Sequence, residues 1–540
     1  MSSAENTAPA PGAPRAVAFA CALALGALAA ACHTASLRGP WLLDDLFLIA
    51  GNPMIRHPHL WGHLWTTDYW AMLGAPTGLY RPLPMQTFAL VWWLGGGAAA
   101  TLPQHVVNVA LHVAVTLLVW RLAPTPARGL PAFAAAAIFA THPVHAEAVA
   151  NVVGRSELLL ALGLLTALAA HRRTAAARTA RGGAAWAALT VAGVAAMLFS
   201  KETGLLLVGC LLVEDLGTGR LRDPAARRRL LVSYAGIAVV MAAYALLRSQ
   251  AVTGAMIGPH IEAPRDRLAL SATAALQNAR LLLWPAGQRA VWNHPDLTLV
   301  PWWTIAVGWA LIAAGAMVTL RAALRGGPAA LAGALLFISS ILLLHPVPNT
   351  AWVWERGLYV PSIALVWLAA LACARFRAGL PRRVAVGMLL LLALAGVPAT
   401  RAMDRLYSDE LLFWKHQARM NPGDAPTLLS LSQVMRQRGL HADALALGNE
   451  ALRIAPDRAT VVAAHAEALL AAGRAGDAAD LLTSAATTRL SFHTPAERPR
   501  LLRHMEQLAR RAGAADAATT LSQRAARGPR PAPPSHPPVE

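Results

Sequence analysis

Long uninterrupted apolar runs, rather than alternating apolar and polar positions, dominate this chain. They lie near 15–36, 101–121, 130–141, 157–171, 183–199, 203–217, 230–248, 301–320, 328–345, 357–374 and 384–401. Crossing about 30 Å of hydrocarbon takes about 20 apolar residues, so the pattern predicts eleven membrane-crossing helices, with 130–141 and 157–171 the shortest. The stretch 268–300 starts apolar, but Asn278, Arg280, Pro285, Arg289, Asn293 and His294 interrupt it, which predicts a re-entrant or interfacial segment. Short connections at 121–128, 172–181, 220–229, 321–325 and 375–383 hold 17 arginines, while the opposite connections are longer and mixed in charge. Basic short loops mark the cytoplasmic side. The N-terminus is therefore expected inside and everything after 402 outside. The first run ends Ala-Ala-Ala-Cys, like a lipoprotein cleavage site, but with so many spans behind it an uncleaved signal anchor is the expectation.

Beyond residue 402 the pattern changes. Gly439, Ala444, Ala451 and Pro456 are preceded by Pro422 and followed 34 residues on by Gly473, Ala478 and Ala485; Gly513, Ala518 and Ala525 repeat the internal spacing. Small residues at this period are the tetratricopeptide signature, in which close-packed helix pairs stack into an array with a concave peptide-binding face. Stacking alone, as a lid or dimer contact, is the plainer use of such an array. The expected organisation is a disordered 1–14, a membrane domain 15–402, repeats over 403–526 and a disordered proline-rich tail 527–540. The fold class is all-α, a polytopic membrane protein followed by a helical repeat domain.

Composition agrees. The chain has 540 residues, 56% hydrophobic and only 14% charged, with a mean hydropathy of +0.44; soluble domains carry roughly 25% charged residues. The net charge of +19 comes almost wholly from arginine, since Lys201 and Lys415 are the only lysines. Arginine gathered between apolar runs reads as topology, not as a nucleic acid footprint. The four cysteines, Cys21, Cys32, Cys210 and Cys373, all lie in apolar runs with no CxxC pair, so neither a disulfide framework nor a zinc site is indicated.

Candidate chemistry gathers on the outer side. Asp44 and Asp45 follow the first span; adjacent carboxylates repel, which raises one pKa and prepares a general base, although aspartate also caps helices. The Trp-rich stretch 53–95 predicts helices along the outer interface, where tryptophan anchors at the headgroup level. HPVHAEAVANVVGRSE (142–157) packs His142, His145, Glu147, Asn151, Arg155 and Glu157 into one connection. A helix from about 145 would put Glu147, Asn151 and Arg155 on one face. The HxxH order lacks the HExxH pattern and a third ligand, so an acceptor or phosphate pocket fits better than zinc, with Arg155 as a phosphate fork. Tyr80-Arg81-Pro82, Ser200-Lys201-Glu202 and HPVPNTAWVWERGLY (345–359, with Glu355 and Arg356) fall on the same side. His105, Asn108 and His112 lie inside a span, which keeps a transporter as an alternative.

At LLDDLFLIAGNPMI (42–55), YRPLPMQTF (80–88), HVVNVALHVAVTLL (105–118), HPVHAEAVANVVGRSELLLAL (142–162), SKETGLLL (200–207) and ERGLYVPSIAL (355–365), then the repeats, the chain resembles the transmembrane and tetratricopeptide-repeat-containing O-mannosyltransferases. The resemblance implies a GT-C glycosyltransferase that moves a sugar, mannose in that family, from a polyprenyl-phosphate donor to Ser or Thr hydroxyls of exported proteins, with inversion. It implies Asp44 and Asp45 as the acidic catalytic pair. Arg155, Lys201, Arg81 and Arg356 are the expected donor-phosphate cations, with His142, His145, Glu147 and Glu202 as further substrate-binding residues. Asp44, Asp45 and Glu147 leave room for a divalent cation such as Mg2+ or Mn2+. The expected partners are the lipid-linked donor, an acceptor protein or peptide held by the repeats, and membrane lipids. The expected location is a bacterial inner membrane with periplasmic repeats, or the endoplasmic reticulum with luminal ones. Two other classes fit the same sequence: a non-catalytic membrane-anchored scaffold, and a flippase or transporter for a lipid-linked sugar.

Overall fold

A computed structural model describes residues 13–73, 77–97, 101–252, 264–292, 297–341, 352–376, 378–492 and 497–526. Among them there is no β-strand, only an isolated bridge between Arg458 and Ser491. The chain divides into two compact units, Met1–Asp409 and Glu410–Glu540.

Among the described residues of the first unit, seven helices are long and apolar enough to cross a membrane: Thr101–Leu122, Val152–Ala175, Ala180–Ser200, Pro224–Ala251, Trp302–Arg325, Glu355–Arg375 and Leu380–Leu406. The predicted runs 15–36, 130–141 and 328–345 form shorter apolar helices, Arg15–Ala31, Leu130–Ala140 and Ala329–Ser340. The run 203–217 is broken in two, Gly204–Leu207 and Gly209–Thr218. Eleven apolar runs thus yield seven full-length helices. The stretch 268–300 is helical as far as Leu283 and is not a candidate span; Asn293 and His294 lie outside the described residues.

Burial sorts the helices. Val152–Ala175 is the hub, with 78% of its most apolar window covered, while Trp302–Arg325 has 6% and leaves its side chains uncovered by protein. The hub packs closest on Ala180–Ser200. A methyl group added at Gly163 would come within 2.7 Å of the Gly193 carbonyl oxygen, and one at Gly193 within 2.7 Å of the Ala167 nitrogen. Small residues let helix backbones approach where lipid offers no hydrophobic drive for association.

Asp404, near the end of the last span, fixes the start of the first connection. Its Oδ2 accepts from the Ala35 and Ser36 amides at 2.8 and 3.0 Å, and its Oδ1 lies 3.3 Å from His33 Nδ1. Residues 36–73 then run through short helical pieces over a core of Leu48, Ile49, Ile55, Leu64 and Tyr69. The expected interfacial helices are short: single turns at Pro53–Arg56 and Ala71–Leu73, a 3-10 helix at Pro58–Trp65, and one longer α-helix, Pro82–Leu94.

Among its described residues the second unit has one helix, Glu410–Met420, followed by three helix pairs, Ala425–Gln437 with His441–Ile454, Ala459–Ala471 with Ala475–Thr487, and Glu497–Arg511 with Ala515–Ala526. Gly439, Gly473 and Gly513 make the three turns at φ of +76°, +75° and +83°. A side chain there would be strained, and glycine is not. Ala444, Ala451, Ala478, Ala485 and Ala518 are all buried, the small residues at the close contacts. The tail 527–540 lies outside the described residues, as do 1–12.

Candidate active site

The polar end of the hub helix organises the site. The segment 142–155 is not one helix: a 3-10 turn (Pro143–His145) and a short α-helix (Ala146–Ala150) lead to Asn151 in extended conformation. Another 3-10 turn, Val152–Gly154, follows before the hub helix begins. The helical face predicted for Glu147, Asn151 and Arg155 therefore does not exist. The break has a use, because it turns the Val152 and Val153 amides toward Asp45, whose carboxylate accepts them at 3.3 and 2.9 Å. Gly154 permits the fold-back; a Cβ there would lie 2.3 Å from the Ala148 carbonyl oxygen.

Asn108 holds this loop from beneath. Its side-chain amide donates to the carbonyls of Val149, Asn151 and Val152 at 3.1–3.2 Å, and its oxygen accepts from Arg155 Nε at 2.8 Å. Arg155 also donates to the Gln104 carbonyl at 2.8 Å and lies over the Phe88 ring at 4.7 Å. It is fully buried. The geometry makes Arg155 an internal brace, not the phosphate fork expected of it. His142 and His145 also point inward. His142 Nε2 lies 3.1 Å from the Leu282 carbonyl and His145 Nε2 lies 2.8 Å from Ser362 Oγ, in a row of rings that continues to His112. Neither ring belongs to the chamber formed by the remaining residues.

That chamber is a cluster of charged side chains, Asp44, Arg81, Glu147, Lys201, Glu202 and Arg356, with Glu157 paired to Lys201. The Arg356 guanidinium is 3.4 Å from Asp44 Oδ2 and 3.6 Å from Glu147 Oε1, and its backbone amide donates to Glu147 Oε2 at 3.0 Å. Arg81 makes a two-pronged pair with Glu202, which also accepts from the Tyr80 amide at 2.8 Å. Lys201 pairs with Glu157 and sits 6.0 Å from the centre of the Trp354 ring. These pairs feel one another: Arg356 interacts with Glu157 and Tyr69, and Lys201 with Arg81 and Arg356. Four carboxylates and three cations share one chamber.

The two aspartates differ. Asp45 is 1% exposed; burial raises its pKa to about 7 against the lowering effect of the Val153 and Val152 amides, with Asp44 adding to the rise. Asp44 keeps 35% of its side chain open and touches Arg356. Burial also raises Glu147, with Arg356 opposing it. At Glu202 burial is outweighed by Arg81, which holds the carboxyl below its ordinary range. Before the pair, Leu43 adopts φ of +51°, a strained conformation for a branched residue.

The set proposed for a divalent cation does not fit one as it stands. Both Asp45 oxygens are taken by amides, Glu147 is committed to Arg356, and among the described residues no three His, Cys, Asp or Glu side chains are grouped as metal ligands.

Three residues were not singled out from the sequence. Asp68, buried, accepts from the amides of Trp70, Thr77, Gly78 and Leu79 and from Thr77 Oγ1, tying residue 70 to residues 77–79 beside Tyr69, over whose ring Arg81 lies at 5.2 Å. Gln288 and Trp292 donate to buried Glu355 at 2.8 and 3.2 Å, fastening the stretch after Leu283 beside the chamber. An acid inside a Trp-rich run was the available signal for Asp68; Gln288 and Trp292 gave none.

No protein-family model matches the chain. Among curated proteins it is similar to human protein O-mannosyl-transferase TMTC1, 36% identical over 201 residues, covering 34% of this chain and 22% of the relative. It is similar to human TMTC4, 31% identical over 36% of this chain and 29% of the relative, and to the Caenorhabditis elegans protein O-mannosyl-transferase F38B6.6, 34% identical over 26% and 21%. The resemblance read from the motifs is thus the one these comparisons return. The chain spans less than a third of the length of the curated relatives it matches. Among solved structures, ArnT from Cupriavidus metallidurans bound to undecaprenyl phosphate aligns over 95% of this chain and 89% of its own, at 17% identity and a TM-score of 0.39. The two superpose too loosely for that likeness to establish the fold.

Proposed function

We propose that this chain is a membrane glycosyltransferase that moves a sugar, mannose being the first candidate, from a polyprenyl-phosphate donor to Ser or Thr hydroxyls of exported proteins on the outer face of the membrane. One observation carries the reading: the partly open carboxylate of Asp44 lies 3.4 Å from Arg356 in a charged cluster whose other cations are Arg81 and Lys201. The names of the similar proteins and the arginine distribution support the activity class and the side.

Asp44, open to a substrate, is the base. It takes the proton of the acceptor hydroxyl as that oxygen attacks the anomeric carbon; the bond from that carbon to the phosphate oxygen breaks, and the polyprenyl phosphate leaves with its electron pair. A single attack from the face opposite the leaving group inverts the anomeric centre. The phosphate needs no proton if cations stabilise its growing charge. Arg356 and Lys201 take that role, with Arg81 behind them, and Arg155 holds the loop instead. Asp45 is a positioning residue: fixed by two amides, it sets the backbone from which Asp44 projects. The helix pairs over 425–526, read as a tetratricopeptide array, would bind the acceptor protein.

The test uses the full chain in detergent, polyprenyl-phosphate-linked hexoses with mannose first, and a Ser/Thr-rich peptide. Losing a general base costs about a hundred- to ten-thousand-fold, so Asp44→Asn should lose transfer by that order while keeping the wild-type melting temperature. A folded Asp44→Asn protein with full transfer overturns the assignment of the base, whereas a wild type that transfers no sugar from any such donor overturns the transferase reading in favour of a scaffold or flippase.

A further inference from the structure

The end of the bundle opposite the chamber carries a second charged surface, in two layers. Arg155 opens the hub helix at the chamber; Ala175 closes it, about 30 Å away at 1.5 Å per residue. The inner layer is self-neutralising. Arg172 and Arg220 pair with Glu214 at 2.8 and 3.3 Å, Arg220 reaches Asp215 at 3.5 Å, and Asp215 Oδ2 meets His171 Nε2 at 2.8 Å and the Tyr234 hydroxyl at 2.7 Å. Arg172 also donates to the Leu122 carbonyl at 3.2 Å and Arg229 to the Ala175 carbonyl at 2.8 Å, so four helix ends are drawn together.

The outer layer is different. Arg173, Arg178, Arg181, Arg222, Arg227 and Arg228 are exposed, and among the described residues none has an ion pair. The acid beside them, Asp223, is used to cap a helix through the Ala225 amide at 3.0 Å. Two long helices, Ala180–Ser200 and Pro224–Ala251, begin here, adding the positive ends of their dipoles. Arg173 lies 4.5 Å over the ring of Trp186. Tryptophan near a span end sits at the headgroup level, so this guanidinium is held at the depth of lipid phosphates.

We propose that this surface binds anionic phospholipid headgroups, phosphatidylglycerol-like phosphodiesters, of the leaflet facing it. The arginines ring the ends of membrane-crossing helices at headgroup depth, so the anions they meet first are in the membrane plane, which favours lipid over nucleic acid or an acidic protein. Each basic residue close to an anionic leaflet contributes about a fivefold factor, which is about 1 kcal/mol. The inference is independent of the glycosyltransferase reading.

The test purifies the full chain in detergent micelles doped with phosphatidylglycerol or phosphatidylcholine, counts retained lipids by native mass spectrometry and follows the melting temperature. The wild type should retain phosphatidylglycerol at least about tenfold over phosphatidylcholine, less so between about 0.05 and about 0.5 M salt. The combined variant Arg173→Gln, Arg178→Gln, Arg222→Gln, Arg227→Gln should lose that preference while keeping its melting temperature in phosphatidylcholine, with cysteine labelling verifying unchanged topology. Lysine at the same four positions should restore most of it. Equal retention of both lipids by the wild type, or a folded glutamine variant with wild-type preference, overturns the proposal. So does inorganic phosphate raising the melting temperature as the lipid does, since that marks a free-anion site. Should the glutamine variant not fold, the wild-type salt series decides: retention unchanged by salt overturns the proposal.

Discussion

Arg356 and Asp44 meet at 3.4 Å across 312 residues of sequence, and the same arginine is bound to Glu147 through both its guanidinium and its backbone amide. One cation thus joins the first connection, the loop before the hub helix and the start of the sixth long span. Arg356→Gln should lower transfer about a hundred- to a thousand-fold, the scale for losing one preorganised charge donor. Arg356→Lys should recover little, because an ammonium on a flexible stem cannot reproduce a planar fork held between two carboxylates. Steady-state kinetics on the purified chain measures both, and equal activity of the Lys variant and the wild type would exclude the fork.

Asp45 gives a pH dependence with a definite sign. Its folded pKa of about 7 stands above the ordinary 3.8 because burial disfavours the charge. The fold therefore prefers the protonated form, and that contribution is full below about pH 4 and is lost as pH rises through about 7. The melting temperature in detergent should fall from about pH 5 to about pH 8. Asp45→Asn keeps an acceptor for Val153 and removes the titration, so its profile over that range should be flatter. A variant with the wild-type slope would mean that another group titrates.

Asn108→Ala removes the one amide group that reaches three loop carbonyls and strands the buried Arg155 Nε. Losing a hydrogen bond to a charged group costs about 1.5–3 kcal/mol, so a clear drop in melting temperature is expected, with transfer falling in step as Val152 and Val153 drift from Asp45. Asn108→Asp, which keeps an acceptor for Arg155 and loses the donors, separates the two effects. It should hold Arg155 but not the loop.

Gly154→Ala puts a methyl group 2.3 Å from the Ala148 carbonyl oxygen, a distance no relaxed structure tolerates. The loop must open, and overpacking of this kind costs about 1–3 kcal/mol or more. Limited proteolysis after Arg155 should speed up in that variant, whereas Gly387→Ala, which meets nothing within 4 Å, should behave as wild type.

The membrane helices and the helix pairs of the second unit could be read from sequence because their causes are local. A run of apolar residues reports a span by itself, and the glycines at 439, 473 and 513, each five residues before a buried alanine, report left-handed turns that only their own backbone requires. The residue types at the candidate site were legible too, since acids and cations beside hydrocarbon are conspicuous. Their roles were not. Residues 142–155 have the periodicity of a helix, yet Asp45 and Asn108, distant in sequence, offer the loop's amides and carbonyls better partners than the next helical turn would. The same contacts decide that Arg155 braces while Arg356 faces the chamber, and that Asp45 is closed in while Asp44 stays open. Local pattern determined which segments fold and which groups are present; burial and long-range hydrogen bonds, which exist only once the chain has packed, decided which of those groups can meet a substrate.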